Sequence, residues 1–172
     1  SNIGSTEVHL ETNATTMIFP GVECGSIFMA TDGYLYMKVQ KLWKKDPKRK
    51  CFNAIELTTR TTRYFDDNDF VFVFDTCAFN YEIWGVNLMT KIKTERNFGA
   101  VIPFSELNIG DVFVSKDNNE NLYIKICEST DELNMSNNTI GIGQAYTMFT
   151  DDDDEVIRVK RLYINTNFIT EL

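Results

Sequence analysis

The sequence predicts an all-β protein made of two tandem small antiparallel, barrel-like (SH3-like) repeats, which form either two separate barrels or one fused barrel pair. Three observations predict this class: apolar runs of strand length, polar turns rich in Asp, Asn and Gly between them, and an internal repeat at a spacing of about 85 residues. The chain of 172 residues contains 13 Phe and 7 Tyr. Aromatic residues favour strands that pack on a core, and this many can bury enough apolar surface for a folded domain.

The repeat is clearest where each copy begins. Residues 19–28 read FPGVECGSIF, and residues 104–113 read FSELNIGDVF. After a polar turn the match resumes, with residues 36–39 opposite residues 123–126. We therefore predict a flexible N-terminal segment at residues 1–16, a first β repeat at 17–90 and a second at 91–172.

The elements follow in order within each copy. A glycine stands two residues before the first strand (Gly25 and Gly110), which predicts a turn with positive φ. A hairpin comes next, as in residues 112–114 and 123–126 of the second copy. A third strand is predicted near Ala54–Leu57, and a second hairpin ends on Phe70–Phe74.

Two further assignments concern the ends of the copies. In the second hairpin we place Phe65 opposite Phe149, since both aromatics precede an acidic turn. The stretch Tyr81–Lys93 alternates along its length and predicts a strand that links the repeats.

Charge and composition exclude several function classes. The chain has 17 Lys+Arg against 25 Asp+Glu, a net charge of -8, which disfavours a general nucleic-acid coat because such proteins need positive charge. The chain has one histidine, His9, so sites with several His ligands are excluded. This histidine falls in the predicted flexible segment. Nucleotide-loop and hydrolase motifs do not occur in the sequence. We expect no catalytic residue, no cofactor and no metal.

Cysteine usage bears on location. Four cysteines are widely spaced without a C-x-x-C pair, and the printed sequence starts without a signal-peptide pattern. We expect free thiols in a reducing compartment, the cytoplasm, with no membrane segment.

A basic segment between residues 41 and 50 is the first candidate site. Lysine and arginine side chains beside an exposed indole bind phosphates while the indole stacks on a base. The same side chains also suit an acidic partner protein. The alternative is a solvated hairpin loop, and the second copy has no such cations. Besides Lys41, the residues concerned are Trp43, Lys44, Lys45, Lys48, Arg49 and Lys50.

Paired Tyr-x-Lys motifs are the second candidate site. A period of two places the tyrosine and the lysine on one strand face. If the copies are related by a pseudo-twofold axis, both motifs line one pocket for an anionic ligand; otherwise each lysine packs beside its own tyrosine. The residues are Tyr36, Lys38, Tyr123 and Lys125, with Arg60 and Arg63 as added cations.

An acidic run, Asp151–Glu155, is the third candidate. Hard cations favour carboxylates, but the run lacks the alternating spacing and the glycine of a calcium loop. We interpret it as a solvated turn, matched by Asp66–Asp69 in the first copy. A surface that mimics phosphates and competes with nucleic acid for a host protein is the alternative.

The pattern F-x-x-L-x-x-G-D-x-F, followed by a turn and Y-x-K, resembles small uncharacterised proteins of tailed bacteriophages. It stands at Phe104–Phe113 and Leu122–Lys125, with a looser copy at Phe19–Phe28 and Leu35–Lys38. The resemblance covers about two thirds of the chain. It implies an accessory protein that acts by binding, and it carries no established activity.

We therefore expect a non-enzymatic phage protein in the host cytoplasm that binds a host protein or host factor, in host takeover or as an anti-defence inhibitor. Two alternatives stay open: sequestration of an anionic small ligand such as a signalling nucleotide, and nucleic-acid binding through Lys41–Lys50. A structural role in the virion is a further option.

Overall fold

The computed structural model describes residues 14–75, 77–83 and 99–166. These residues form an all-β structure, which confirms the predicted class. Two short 3-10 turns, Phe19–Gly21 and Phe104–Glu106, accompany the strands. The first seven strands are β1 (Ala14–Ile18), β2 (Ile27–Met29), β3 (Leu35–Lys44), β4 (Cys51–Glu56), β5 (Thr62–Arg63), β6 (Phe70–Phe74) and β7 (Ala78–Ile83). The next six are β8 (Val101–Pro103), β9 (Val112–Ser115), β10 (Tyr123–Thr130), β11 (Ser136–Gly141), β12 (Thr147–Met148) and β13 (Glu155–Asn165).

The two halves of the chain share one pattern of strand pairing. In the first half β1 pairs with β6 and β6 with β2, and β2, β3, β4 and β5 then follow as antiparallel neighbours. In the second half β8, β13, β9, β10, β11 and β12 pair in the same order. A 3-10 turn separates the first two strands of each half. The internal repeat of the sequence therefore corresponds to a repeat of the topology.

The predicted glycine turns are present in both halves. Gly25 has φ 92° and Gly110 has φ 94°, so both occupy backbone space that favours glycine. Each glycine N–H bonds the same strand of its half, at the carbonyls of Lys38 and Lys125, with both distances at 2.8 Å. The turn that precedes the first hairpin is thus fixed in the same way twice.

The predicted alignment of Phe65 with Phe149 is wrong by one residue. Asn53 exchanges two hydrogen bonds with the backbone of Phe65, at 3.0 and 2.8 Å. Asn138 makes the same two bonds with Thr150, at 2.8 and 2.7 Å. Thr150 therefore stands where the first half has Phe65, because backbone pairing sets the register and the aromatic type does not.

The halves are joined more closely than two separate barrels. One connected network of pairing contains thirteen strands and is not closed, and β3 meets β10 at the pairs Lys44–Ser129 and Trp43–Thr130. Neighbouring residues of β2 face different cores: Phe28 packs within the first half, whereas Ile27 joins a large cluster with residues of the second half such as Val112. Sheets buried on both faces need nearly continuous apolar runs. Strands β2, β4 and β9 meet this condition, since they are buried along most of their length.

One predicted boundary changes, and two further predictions lie wholly or partly outside the described residues. Strand β1 begins at Ala14 and pairs with β6, so residues 14–16 are strand and the predicted N-terminal segment extends too far. Of the predicted linking strand, Tyr81–Ile83 belong to β7, and residues 84–93 lie outside the described residues. The proposed division at residue 90 also lies outside them. Within the described ranges, no helix has the length and apolar character needed to cross a bilayer.

Candidate functional site

The basic segment forms the end of β3 and the turn that leads into β4. Lys41 and Lys44 lie on β3, which continues to residue 44, so the predicted loop is half strand. The turn is closed by the Asp46 carboxylate, which accepts the Arg49 N–H at 2.8 Å, and Arg49 has φ 46°. We call residues 43–50 the basic tip.

The basic tip rests on the second half of the chain. Lys45 Nζ lies 3.1 Å from Glu128 Oε1 and donates to Ser136 Oγ at 2.6 Å. Arg49 Nη2 donates to Thr130 Oγ1 at 3.4 Å. These contacts hold the tip against β10 and β11. Lys45 therefore has a positioning role in addition to its charge.

Most cations of the tip are left unpaired. Among the described residues, Lys44, Lys48, Arg49 and Lys50 form no ion pair, while Lys45 is paired with Glu128. Within the described part of the chain, the tip therefore has a local excess of positive charge, whereas the whole chain has a net charge of -8. Such an excess attracts anionic partners over a distance of about a Debye length, ~8 Å at physiological salt.

A groove of about 500 Å³ lies beside the tip, where the two halves meet. We call it the junction groove. It brings together Lys44 and Lys45 of the first candidate site with Arg60 of the second. The other lining residues are Asp46, Thr59, Thr61, Thr62, Ile109, Cys127 and Glu128.

Arg60 is held in place by backbone atoms on both sides of the junction groove. Its Nε donates to Gly110 O at 2.9 Å and its Nη1 donates to Thr58 O at 2.7 Å. Its own φ is 57°, a conformation that non-glycine residues adopt rarely and at a cost. The guanidinium is therefore positioned before any ligand arrives.

Trp43 is half-buried on β3 and has a cation beside it. Lys41 Nζ lies 5.2 Å from the Trp43 ring centroid and 5.5 Å from that of Tyr64. Both distances are within the range of a cation–π contact. Lys41 thus lies near both rings, and stacking of the Trp43 indole on a base stays a prediction.

The Tyr-x-Lys lysines are engaged within their own halves. Lys38 Nζ donates to Phe19 O at 3.1 Å, and Lys125 Nζ donates to Phe104 O at 3.1 Å and to Leu107 O at 2.8 Å. Each ammonium also lies 4.5 Å from the ring centroid of Phe19 or Phe104. Both lysines therefore stabilise the 3-10 turns, and ligand binding by them stays a prediction.

Tyr36 and Arg63 form a cluster with Asp32, a residue that the sequence did not single out. The Tyr36 hydroxyl donates to Asp32 Oδ2 at 2.6 Å, and Arg63 Nη1 donates to both the hydroxyl (2.7 Å) and the carboxylate (2.6 Å). Partial burial raises the pKa of Asp32, but the hydrogen bond from Tyr36 and the Arg63 charge outweigh burial and lower it. Burial and Asp32 raise the pKa of Tyr36.

The Arg63 guanidinium also covers two rings. Its central carbon lies 4.1 Å from the Phe65 ring centroid and 5.1 Å from that of Tyr36. Phe65 is itself fully buried among Phe19, Phe28 and Tyr36. The guanidinium therefore covers one side of the small core of the first half.

The second half has a hollow in the corresponding place. A cavity of about 590 Å³ opens there, which we call the second-half hollow. Tyr123 and Thr150 lie on its wall, at the positions of Tyr36 and Phe65. The remaining lining residues are Phe113, Ser115, Lys116, Asp117, Asn118, Met148, Phe149, Asp153, Asp154, Glu155 and Val156.

The acidic run forms a tight turn. Asp154 N–H bonds Asp151 O at 3.1 Å, as Asp69 N–H bonds Asp66 O at 3.1 Å in the first half. The carboxylates of Asp151, Asp153 and Asp154 lie within 4.8 Å of one another and are exposed. Exposed carboxylates at this spacing suit the predicted solvated turn, and nothing further at the turn points to a cation.

The four cysteines and the single histidine remain to be placed. Cys24, Cys51, Cys77 and Cys127 are free thiols and half-buried. Burial raises the pKa of Cys77 to about 11, which keeps it protonated and unreactive. His9 lies outside the described residues.

Sequence reasoning did not identify Asp32 or Thr150 as site residues, and it used Phe65 only to align the repeats. The signal was present, because a constant shift of 85 residues places Thr150 opposite Phe65. Matching aromatic to aromatic concealed it.

Comparison with protein-family models, curated proteins and solved structures finds no match to this chain.

Proposed function

We propose that this chain is a non-enzymatic binding protein whose basic tip and junction groove bind an acidic surface of a host protein. A bacteriophage accessory protein acting in the host cytoplasm, in host takeover or in inhibition of a defence system, fits this proposal. The observation that carries it is the convergence of Lys44, Lys45 and Arg60 on one groove, beside Lys48 and Lys50, which form no ion pair among the described residues.

Charge segregation supports an anionic partner. The tip keeps Lys44, Lys48 and Lys50 free of ion pairs among the described residues. Exposed charges of this kind add little to folding stability, so their concentration is better explained by association. They raise association rates with a partner of opposite charge and select against basic partners.

Neighbouring apolar groups support a protein partner. The turn between β10 and β11 lies beside the tip, since Lys45 bonds Ser136 there. This turn exposes Leu133 at 83% and Met135 at 62%. Interfaces combine a few apolar anchors with a polar rim, and two protruding apolar side chains next to a ring of cations have that composition. Nucleic-acid binding would favour exposed aromatics over Leu and Met.

The architecture accommodates such a surface. We propose that each half is a partly open SH3-like barrel and that the two are fused through their shared core. Fusion holds the β3–β4 and β10–β11 turns side by side. A partner then contacts both halves at once, as a surface of about 800 Å² per partner requires.

A small anionic ligand is the second candidate. The junction groove has about 500 Å³, within the size of ligand pockets. It offers two lysines, an arginine and three threonine hydroxyls beside the carboxylates of Asp46 and Glu128, of which Glu128 is paired with Lys45. A signalling nucleotide matches that chemistry. A thermal-shift screen with cyclic nucleotides separates this candidate from the first. If the groove binds a nucleotide, the melting temperature of the chain rises with nucleotide concentration; if the chain binds only a protein, the melting temperature does not change.

The main test is affinity purification from the bacterial host with wild-type protein and with the triple variant Lys44→Glu/Lys48→Glu/Lys50→Glu. Lys45 is left intact because it positions the tip. Lys160→Glu, on β13, is the control for a charge change elsewhere. We expect a partner that the wild type and the control retain and the triple variant loses.

Binding of the purified partner, measured by calorimetry, should weaken at least tenfold in the triple variant and as salt rises from 0.05 to 0.5 M, on the order expected for charge-steered association. Leu133→Ser should weaken the same partner. A partner bound equally by wild type and triple variant would overturn the proposal. Salt-sensitive binding of bare oligonucleotides in place of a protein would support the nucleic-acid alternative and contradict it.

A further inference from the structure

The first half of the chain supplies its own guanidinium to a site that the second half leaves open. In the first half, Arg63 lies over the Phe65 ring and reaches the Tyr36 hydroxyl and the Asp32 carboxylate. The site thus combines an aromatic stack, a phenol and a carboxylate. All three elements favour a planar cation with several donors.

The second half has the aromatic residues that line this site but lacks the arginine and the phenylalanine that fill it in the first half. Met148 pairs with Thr139 as Arg63 pairs with Ala54, so Met148 stands at the Arg63 position. Thr150 stands at the Phe65 position. The guanidinium and the ring beneath it are therefore both absent, and the hollow of about 590 Å³ occupies their place.

The aromatic wall is conserved between the halves in geometry. Phe113 and Tyr123 stack with centroids 5.5 Å apart and an interplanar angle of 29°. Phe28 and Tyr36 stack at 5.6 Å and 17°. Partial burial and the neighbouring Tyr146 hydroxyl raise the pKa of Tyr123, so the phenol stays neutral at the rim. Phe149, 51% exposed, adds a third ring to the wall.

The charge of the hollow is complementary to a cation. Four acidic residues line it: Asp117, Asp153, Asp154 and Glu155. Lys116 is the single basic residue of the lining, and it is paired with Glu155 at 2.6 Å. Asp117 follows the same strand as Asp32 does in the first half, directly before the hairpin turn.

We propose that the second-half hollow binds a guanidinium group from outside the chain, either an arginine side chain of a partner protein or a small guanidine. The group enters over Thr150, stacks against Phe113, Tyr123 or Phe149, and is paired by the acidic rim. This site uses the other half of the chain and the opposite charge from the basic tip, so it does not depend on the function proposed above.

The test uses the full chain and four capped probes: N-acetyl-arginine amide, the lysine and citrulline analogues, and an Ac-Gly-Arg-Gly amide tripeptide. Binding is followed by two-dimensional NMR and by calorimetry. We expect the arginine probes to shift resonances of the hollow's lining. The lysine probe should bind at least fivefold more weakly, and the neutral citrulline probe should show no binding.

Two variants fill the hollow as the first half does. Thr150→Phe restores the missing ring, and Met148→Arg supplies an internal guanidinium; either should weaken arginine binding at least tenfold. Met148→Arg leaves the buried Thr139–Thr150 contact intact, so it serves if Thr150→Phe does not fold. Asp66→Asn, on the corresponding acidic turn of the first half, is the control and should bind like wild type.

Comparing the tripeptide with agmatine, a small guanidine, identifies the source of the guanidinium. Tighter binding of the tripeptide than of agmatine supports an arginine of a partner protein, and the reverse order supports a small guanidine. Absence of arginine binding by the wild type, equal binding of the lysine probe, or unchanged binding by both filled variants would each overturn the proposal.

Discussion

Replacing Gly25 with alanine tests the docking of the two halves, and Gly110→Ala is a matched control. Both glycines have φ near 90°, so alanine meets the same backbone strain at each, about 1–2 kcal/mol. The surroundings differ. A Cβ at Gly25 would lie 2.7 Å from the backbone C and O of Gln144, in the second half, whereas the nearest atom at Gly110 is 3.7 Å away.

A contact of 2.7 Å with backbone cannot be relieved by a side-chain rotation, so the β11–β12 turn must move. Overpacking of this kind costs about 1–3 kcal/mol. We therefore expect Gly25→Ala to lower the free energy of unfolding by about 2–5 kcal/mol, and Gly110→Ala by about 1–2 kcal/mol.

Equilibrium urea unfolding, followed by tryptophan fluorescence and by far-UV circular dichroism, measures both values. The melting temperature should fall by about 2–4 °C for each kcal/mol in a chain of this size. If the two variants are destabilised equally, within 0.5 kcal/mol, the Gln144 backbone does not lie against Gly25, and the docking of the halves described above is wrong.

Three other changes have definite expected outcomes. Asn138→Ala leaves a buried N–H and a buried carbonyl of Thr150 without partners and should cost about 2–4 kcal/mol in urea unfolding, whereas a cost below 1 kcal/mol would contradict the bonding described. For Glu56, burial raises the pKa but hydrogen bonds from Thr59 and Thr58 outweigh it and lower the pKa, so its contribution is present above the unfolded pKa of about 4.3 and is lost as pH falls through the lower folded value; Glu56→Gln should flatten the loss of stability between pH 6 and 3, and parallel curves would refute this. Cys77, with its pKa raised to about 11, should react with iodoacetamide at pH 8.5 at least tenfold more slowly in the folded protein than in urea, as read by mass spectrometry of the alkylated peptide; equal rates would show an accessible thiolate.

Much of the topology was predictable because it depends on local patterns. Alternating strands, Asp- and Gly-rich turns and the paired glycines Gly25 and Gly110 are written in short segments, and the structure confirms them. The same holds for the repeat, which a shift of about 85 residues reveals and the strand pairing reproduces. These features need no knowledge of which segments meet in space.

The site was predictable only in part. Lys44, Lys45 and Arg60 were identified as cations from two separate segments, and only the fold brings them to one groove. Lys38 and Lys125 were expected near a ligand, yet each stabilises a 3-10 turn, because carbonyls of that turn lie within hydrogen-bond reach of the ammonium. Such partners are distant in sequence and have no local signature.

The sequence by itself determined the strands, the turns and the existence of two related halves, since side-chain period and backbone preference act over a few residues. Tertiary structure decided that the halves are fused, because the apolar residues facing the shared core are indistinguishable in sequence from those facing the small cores. It also decided which residue of the second half corresponds to Phe65. Hydrogen bonds from Asn138 fix Thr150 there, and the exchange of a ring for a hydroxyl opens the second-half hollow.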